Sequence, residues 1–231
     1  MTTLDPKRSA PRRGRPRQAG LLERRREEIL DAATAVFARE GYPGADLQHV
    51  ADRLGVGKGT IYRYFETKRA IFQAAVDRAV VGMRSAIDDA LVGLDDPFDR
   101  IEAAIRAYLV YFDEHPEFVE LIIQERAEFR DRKKPTYFQH REANLGVWQK
   151  MYADLIRAGR VRDVPIDRIT DTLGNVMYGA MFTNYFAGRH KTLLRQADDI
   201  LDIVFNGLLT DTERARRTRP ASHRGHQEKS Q

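Results

Sequence analysis

The stretch Leu47 to Lys68, LQHVADRLGVGKGTIYRYFETK, decides the fold. Leu47, Val50, Ala51 and Leu54 recur at i, i+3, i+4 and i+7, which gives a helix one apolar face. Asp46 precedes it, where a carboxylate can accept the unpaired N–H groups of the first turn. Gly55 ends it, because glycine enters the left-handed cap conformation without a Cβ penalty. After Val56 a second short helix is expected, with Ile61 and Phe65 facing inward and Lys58, Gly59, Tyr62 and Arg63 on the opposite side. A buried helix, a glycine turn and a helix showing basic, aromatic and hydroxyl groups predict a helix-turn-helix.

The longer block EGYPGADLQHVADRLGVGKGTIYRYFETKRAIF resembles the DNA-binding signature of TetR/AcrR-type bacterial repressors. The resemblance is carried by Gly41-Tyr42, Val50-Ala51, Leu54-Gly55-Val56, Lys58-Gly59-Thr60-Ile61-Tyr62, Tyr64-Phe65 and Lys68. Two positions depart from the family pattern: Ala45 replaces a threonine and Gly57 a serine, so two hydroxyl groups are missing. The resemblance implies an all-α transcriptional regulator, typically a repressor released from operator DNA by a small apolar or amphipathic inducer. It places the operator-contacting positions on Gln48, Lys58, Gly59, Thr60, Tyr62, Arg63, Tyr64 and Lys68. Arg63 and Gln48 suit base reading, since arginine pairs with guanine and glutamine with adenine in the major groove.

Around this block, composition narrows the class. The 231 residues contain no cysteine, so neither a disulfide framework nor a thiolate metal site is expected, which fits a reducing cytoplasm. No apolar run reaches membrane-spanning length and the N-terminus lacks a signal-peptide core, so neither a membrane nor export is expected. The net charge of +5 is uneven: residues 1–20 carry +5, residues 212–231 carry +4, and the body between is −4. Two basic tails on an acidic-leaning body suit attraction to a polyanion, although such tails also simply keep a chain soluble.

Residues 1–20 are rich in Pro, Gly and Arg and are expected to be a disordered arm. Within them, Arg13-Gly14-Arg15-Pro16-Arg17 resembles an AT-hook core, so Arg13 and Arg15 are candidates for a narrow A·T-rich minor groove. The first helix is expected over about Leu22–Glu40, with Arg24, Arg25 and Arg26 on a solvated mixed face. Residues 21–67 then form the helix-turn-helix domain, and residues 68–211 a helical ligand-binding and dimerisation domain, about nine helices in all. Residues 212–231 are expected to be a disordered basic tail. The helix from Lys68 to about Leu91 is too long to serve the small domain alone and should tie the two together.

Catalytic and metal-ligating constellations are absent from the pattern. His49, His115, His140 and His190 are scattered, and no nucleophile motif or phosphate loop occurs, so no enzyme, cofactor or metal is expected. Glu120, Glu125 and Glu128 read as a solvated acidic face. In the second half, Tyr108, Phe112, Trp148, Met151, Tyr152, Met177 and Tyr178 are either ordinary core or the lining of an apolar cavity. The last two helices, Pro165–Phe186 and Leu193–Leu209, are apolar over most of their circumference and must be buried on two sides. A homodimer built as a symmetric four-helix bundle would supply the second side, with Met181, Phe182, Tyr185, Ile200, Val204 and Leu208 at its interface. A constitutive or architectural DNA-binding protein without a ligand is the alternative.

Overall fold

A computed structural model describes residues 15–189 and 191–207, with side chains from Gly20 onward. Among the described residues there are nine helices and no strand. No helix among them is long and apolar enough to cross a membrane.

The first helix, α1, spans Arg15–Gly44 but is interrupted at Gly41, whose φ of 73° leaves the helical region. The regular stretch therefore stops at Glu40, as glycine at that position predicts. Its start differs from expectation, because Arg15–Gly20 are helical rather than part of an extended arm. Pro16 does not oppose this: in the first turn its missing N–H has no intrahelical partner to lose, and its fixed φ suits a helix.

The helix-turn-helix consists of α2 (Leu47–Arg53) and α3 (Lys58–Tyr64). Asp46 caps α2 by accepting from the Gln48 N–H at 2.8 Å, and Gly55 turns the chain at φ 63°. Gly57 caps α3 with no side-chain bond, as its lack of a side chain requires. Leu47, Val50, Ala51, Ile61 and Phe65 are buried together with Ile29, Ala33, Val36 and Phe37 of α1.

The fourth helix, α4 (Lys68–Ala90), starts at Thr67, whose hydroxyl accepts from the Ala70 N–H at 3.0 Å. Its first half is core: Phe72 meets Phe37 edge-on at 5.1 Å and Tyr42 at 5.0 Å, while Phe129 closes the cluster 4.8 Å from Tyr42. Near its middle, the Tyr111 hydroxyl donates to the Ala79 carbonyl at 2.8 Å. The same oxygen lies only 2.4 Å from where a Cβ on residue 82 would sit, so glycine is what admits it there.

Next come α5 (Pro97–Glu114), α6 (Pro116–Glu128), α7 (Thr136–Arg157) and α8 (Ile166–Ala187). Pro97 and Pro116 occupy first-turn positions, and Asp96 caps α5 through the Phe98 N–H at 2.7 Å. In packing, α4 touches α1, α5, α6 and α7, while α8 lies against α5, α6 and α7.

The acidic face expected on α6 is not wholly solvated. Glu125 is only 1% exposed, and its carboxylate takes the Thr136 N–H at 3.0 Å, the Thr136 hydroxyl at 2.6 Å and the Arg132 guanidinium. It thereby caps α7 from the neighbouring helix, a use of acid that helical periodicity alone does not signal. Arg26 is likewise no bystander: it stacks over the Phe65 ring at 4.2 Å, with Nη1 3.4 Å from the Tyr64 carbonyl.

The described residues up to Gly188 cluster as one compact unit. The first half of α4 belongs to the same core as α1. In the second unit, from Arg189 onward, α9 (Leu193–Asn206) is capped by Thr192 through the Arg195 N–H and ends at Gly207, φ 75°. Ala197 and Leu201 are its buried positions.

Candidate nucleic-acid interface and apolar cavity

On α3 the apolar side is fixed by Ile61, which leaves Gly59, Tyr62 and Arg63 exposed and Lys58, Thr60 and Tyr64 half-buried. Tyr62 exposes 45% of its surface, a large value for an aromatic residue with no packing role. No side chain at Gly59 stands between the backbone and solvent, and nothing approaches within 4 Å of its would-be Cβ.

Three of the expected contact residues have partners within the protein. The Lys58 ammonium lies 2.6 Å from the Asp46 carboxylate oxygen that also caps α2. That carboxyl is held below its usual range by the Gln48 N–H first and by Lys58 second, and Lys58 is raised in turn by Asp46. Lys68 donates to the Pro43 carbonyl at 3.2 Å and sits over the Tyr42 ring at 4.9 Å, with burial pulling its ammonium below the ordinary lysine value. Gln48 donates to Asp52 at 2.7 Å. Arg13 and the side chain of Arg15 lie outside the described residues, while the Arg15 backbone begins α1.

A cavity of about 340 Å³ opens between α4, α5, α7 and α8. Of the seven candidates, Tyr108, Trp148, Met151, Tyr152 and Met177 line it. Phe112 and Tyr178 do not. Phe112 is buried behind Tyr108, ring to ring at 5.0 Å, and Tyr178 packs on Tyr137 and Phe138 at 4.9 and 5.1 Å. Phe112 is core, and Tyr178 is a half-buried packing residue.

Other lining residues escaped the sequence reading. From α4 come Val80, Met83, Arg84 and Ile87, and α5 adds Arg100. Tyr137 and Arg141 come from α7, where Tyr137, Arg141, Asn144 and Trp148 recur at helical spacing. A charge on an otherwise inward stripe was the available signal. The Tyr108 and Tyr137 hydroxyls are 3.0 Å apart and buried, and desolvation raises both phenols above their ordinary value.

The expected interface residues divide differently. Met181 is 2% exposed and receives the Tyr108 hydroxyl at its sulfur, so it is core of this chain rather than a surface for another. Phe182 and Tyr185 are half-buried, and the Tyr185 hydroxyl donates to Glu120 at 2.7 Å. What α8 exposes is a neighbouring strip: Val176, Gly179, Thr183 and Phe186, the last at 69%. On α9, Ile200 and Val204 are half-buried, Leu194 and Ile203 are exposed, and Leu208 lies outside the described residues.

Comparison with known proteins agrees with this architecture. Residues 29–75 match the sequence profile of the family described as "Bacterial regulatory proteins, tetR family". Over 124 residues the chain is 32% identical to the HTH-type transcriptional activator FasR of Mycolicibacterium smegmatis, covering 50% of this chain and 57% of FasR. It thus spans little more than half of that relative. It is 25% identical over 187 residues to the HTH-type transcriptional repressor NicS of Pseudomonas putida, covering 80% and 86% of the two chains. Among solved structures, the fatty acid degradation regulator FadR from Bacillus halodurans superposes with a TM-score of 0.68 at 14% identity, covering 80% of this chain and 96% of that one. FadR from Bacillus subtilis in complex with stearoyl-CoA gives 0.67 at 15% identity, covering 79% and 99%.

Proposed function

Since this chain belongs to the tetR family of bacterial regulatory proteins, we propose that it is a homodimeric, sequence-specific DNA-binding repressor acting in the cytoplasm, released from its operator by a small amphipathic ligand. In this reading α3 enters the major groove. Arg63 and Gln48 read bases, Thr60 meets a thymine edge, and Tyr62, Tyr64, Lys58 and Lys68 hold phosphates. Gly59 lets the backbone approach the duplex. Arg13 and Arg15 precede α1 or begin it, so they are assigned to the operator's flank, where they add charge. In the dimer, the two α3 helices stand about 34–36 Å apart on a near-palindromic site.

One observation carries the ligand half of the proposal: α4 takes part in both places. Val80, Met83, Arg84 and Ile87 line the cavity. Six residues before Arg84, Arg78 reaches α1, with Nη1 2.6 Å from Asp31 and Nη2 3.3 Å from the Thr34 hydroxyl. A ligand that bends or tilts α4 must move α1, which packs directly on α2. A second tie joins α6 to α1, where the Gln124 amide donates to the Phe37 carbonyl at 3.0 Å. A structural neighbour solved with stearoyl-CoA gives a precedent for an amphipathic ligand in this fold. A purely architectural protein would have no use for a cavity in contact with α4. Tenfold weaker operator binding needs ~1.4 kcal/mol of coupling.

The test has two stages. Sequences bound by the purified full chain are selected from random DNA, and the consensus is used to measure operator affinity with and without a ligand that demonstrably quenches Trp148. A near-palindrome and weaker binding with ligand are expected. No consensus would defeat the regulator reading, and an affinity unmoved by a saturating ligand would defeat the release mechanism.

A further inference from the structure

Resting on that reading, we propose that the cavity selects an anionic amphiphile, a carboxylate on an apolar tail, whose head is received by Arg141 beside the Tyr108 and Tyr137 hydroxyls. The tail side is supplied by Met83, Ile87, Ile105, Leu145, Trp148 and Met151. The charges decide the sign of the head. Three guanidinium groups line the cavity, from Arg84, Arg100 and Arg141, against the single carboxylate of Asp88. A cationic ligand would meet an excess of like charge.

Arg141 is the best placed of the three. Its side chain is 22% exposed and its Nη2 lies 3.1 Å from Asp171 and 3.4 Å from the Thr170 carbonyl. Asp171 is itself 65% exposed, so water screens that pair and leaves the guanidinium incompletely neutralised on its cavity side. The wall of α8 is opened for it: a Cβ on residue 174 would fall 2.4 Å from Nη2, 2.6 Å from Cζ and 2.9 Å from Nε. Only glycine at that position lets the guanidinium lie against the helix. Arg84 has a similar partner, Asp88 at 3.3 Å, but its side chain is 41% exposed, and Arg100 donates to the Leu94 carbonyl at 3.0 Å.

The two phenols complete the head site. Both residues line the cavity and their buried hydroxyls are 3.0 Å apart; the Tyr108 proton, which meets only the weakly accepting Met181 sulfur at 3.7 Å, is the one a carboxylate can take. A carboxylate accepts from a guanidinium and from a phenol together, and charge-assisted bonds of this kind are the strong ones. A neutral head of the same shape would leave the Arg141 charge without a partner once water is displaced.

Decanoate, decanol and decyltrimethylammonium share a tail and differ in head charge. Each is titrated into the full-length protein while Trp148, the chain's single tryptophan, reports binding. Decanoate should bind about tenfold more tightly than decanol, and the ammonium should not bind. Arg141→Gln should remove most of that acid-over-alcohol preference, and Arg141→Lys should restore part of it. Gly174→Ala displaces the guanidinium without removing it and should reduce the preference in the same direction, with circular dichroism confirming that each variant is folded. Equal binding of acid and alcohol overturns this inference while leaving a ligand site standing, as does a preference that survives in folded Arg141→Gln and Gly174→Ala. Binding of none of the three removes the ligand reading and this inference together.

Discussion

Arg78 on α4 and Asp31 on α1 are joined across the helix pair, Nη1 to Oδ1, at 2.6 Å. The same guanidinium meets Glu27 at 3.3 Å and the Thr34 hydroxyl at 3.3 Å, and its side chain is only 21% exposed. One planar fork therefore holds residues from two turns of α1. Asp31 is 74% and Glu27 47% exposed, so water screens both pairs, and Arg78→Ala should lower stability by about 1 kcal/mol, read as a lower urea midpoint. Arg78→Lys should recover less than half of that, because a single ammonium cannot span the acceptors a guanidinium reaches. An unchanged midpoint in Arg78→Ala would show that the clamp contributes nothing to holding α4 on α1.

At the DNA face, Arg63 and Lys68 should behave differently. Arg63 is exposed, so Arg63→Ala should cost about 1–3 kcal/mol of operator binding and relax the preference at one base pair per half-site. Lys68→Ala should weaken every sequence alike and reduce the salt slope by about 1. Anisotropy titrations on the consensus and on single mismatches, at several salt concentrations, separate the two. A uniform loss in Arg63→Ala would reassign that residue to phosphate.

The strip Val176, Gly179, Thr183 and Phe186 predicts where a second chain sits. Gly179→Arg and Phe186→Asp should give folded monomers by light scattering, since each places charge on an apolar surface without touching this chain's own core. Met181→Ala should instead cost about 2–5 kcal/mol of stability, because that side chain is buried within one chain. Dimers persisting in both Gly179→Arg and Phe186→Asp would move the interface elsewhere.

Alkaline titration should expose the α8–α6 contact. Burial and the Glu120 carboxylate push the Tyr185 phenol up to about 12. An unfolded tyrosine loses its proton near ~10. Between these values the folded state holds the proton and the unfolded state does not, so stability falls as pH rises through that window and is fully present below it. Tyr185→Phe should flatten the fall between about pH 10 and 12 in thermal melts; an identical slope would show that other groups cause it.

The helix-turn-helix was legible because its geometry is local. Asp46 and Gly55 each act within a few residues of themselves, and both hold the positions their chemistry suggests. Cavity residues were half legible: Trp148 and Met151 stand at helical spacing on an apolar stripe, and so do Phe112 and Tyr178, which pack away from the cavity. Periodicity says which side of a helix faces inward. It does not say whether the opposing helix leaves a gap there. Glu125 and Arg141 were missed for a related reason, since their partners, Thr136 and Gly174, lie on other helices and only packing brings them together. On α8 the apolar surface was recognised, but Met181 is buried and Tyr185 half-buried while Gly179, Thr183 and Phe186 are exposed.

The Tyr111 hydroxyl holds α4 at Ala79 and Gly82, near the middle of the helix. From Ala79 back to Lys68 is about 17 Å of helix and from Gly82 on to Ala90 about 12 Å. Tyr111 is therefore a fulcrum set closer to the cavity end than to the DNA end. A rigid tilt about it reverses direction: a push outward at Ala90 brings Lys68 inward, with a displacement enlarged by roughly 1.4-fold. In the proposed release mechanism, small motions at the cavity would be geared up on their way to the helix-turn-helix, with the glycine that seats the tyrosine setting the ratio.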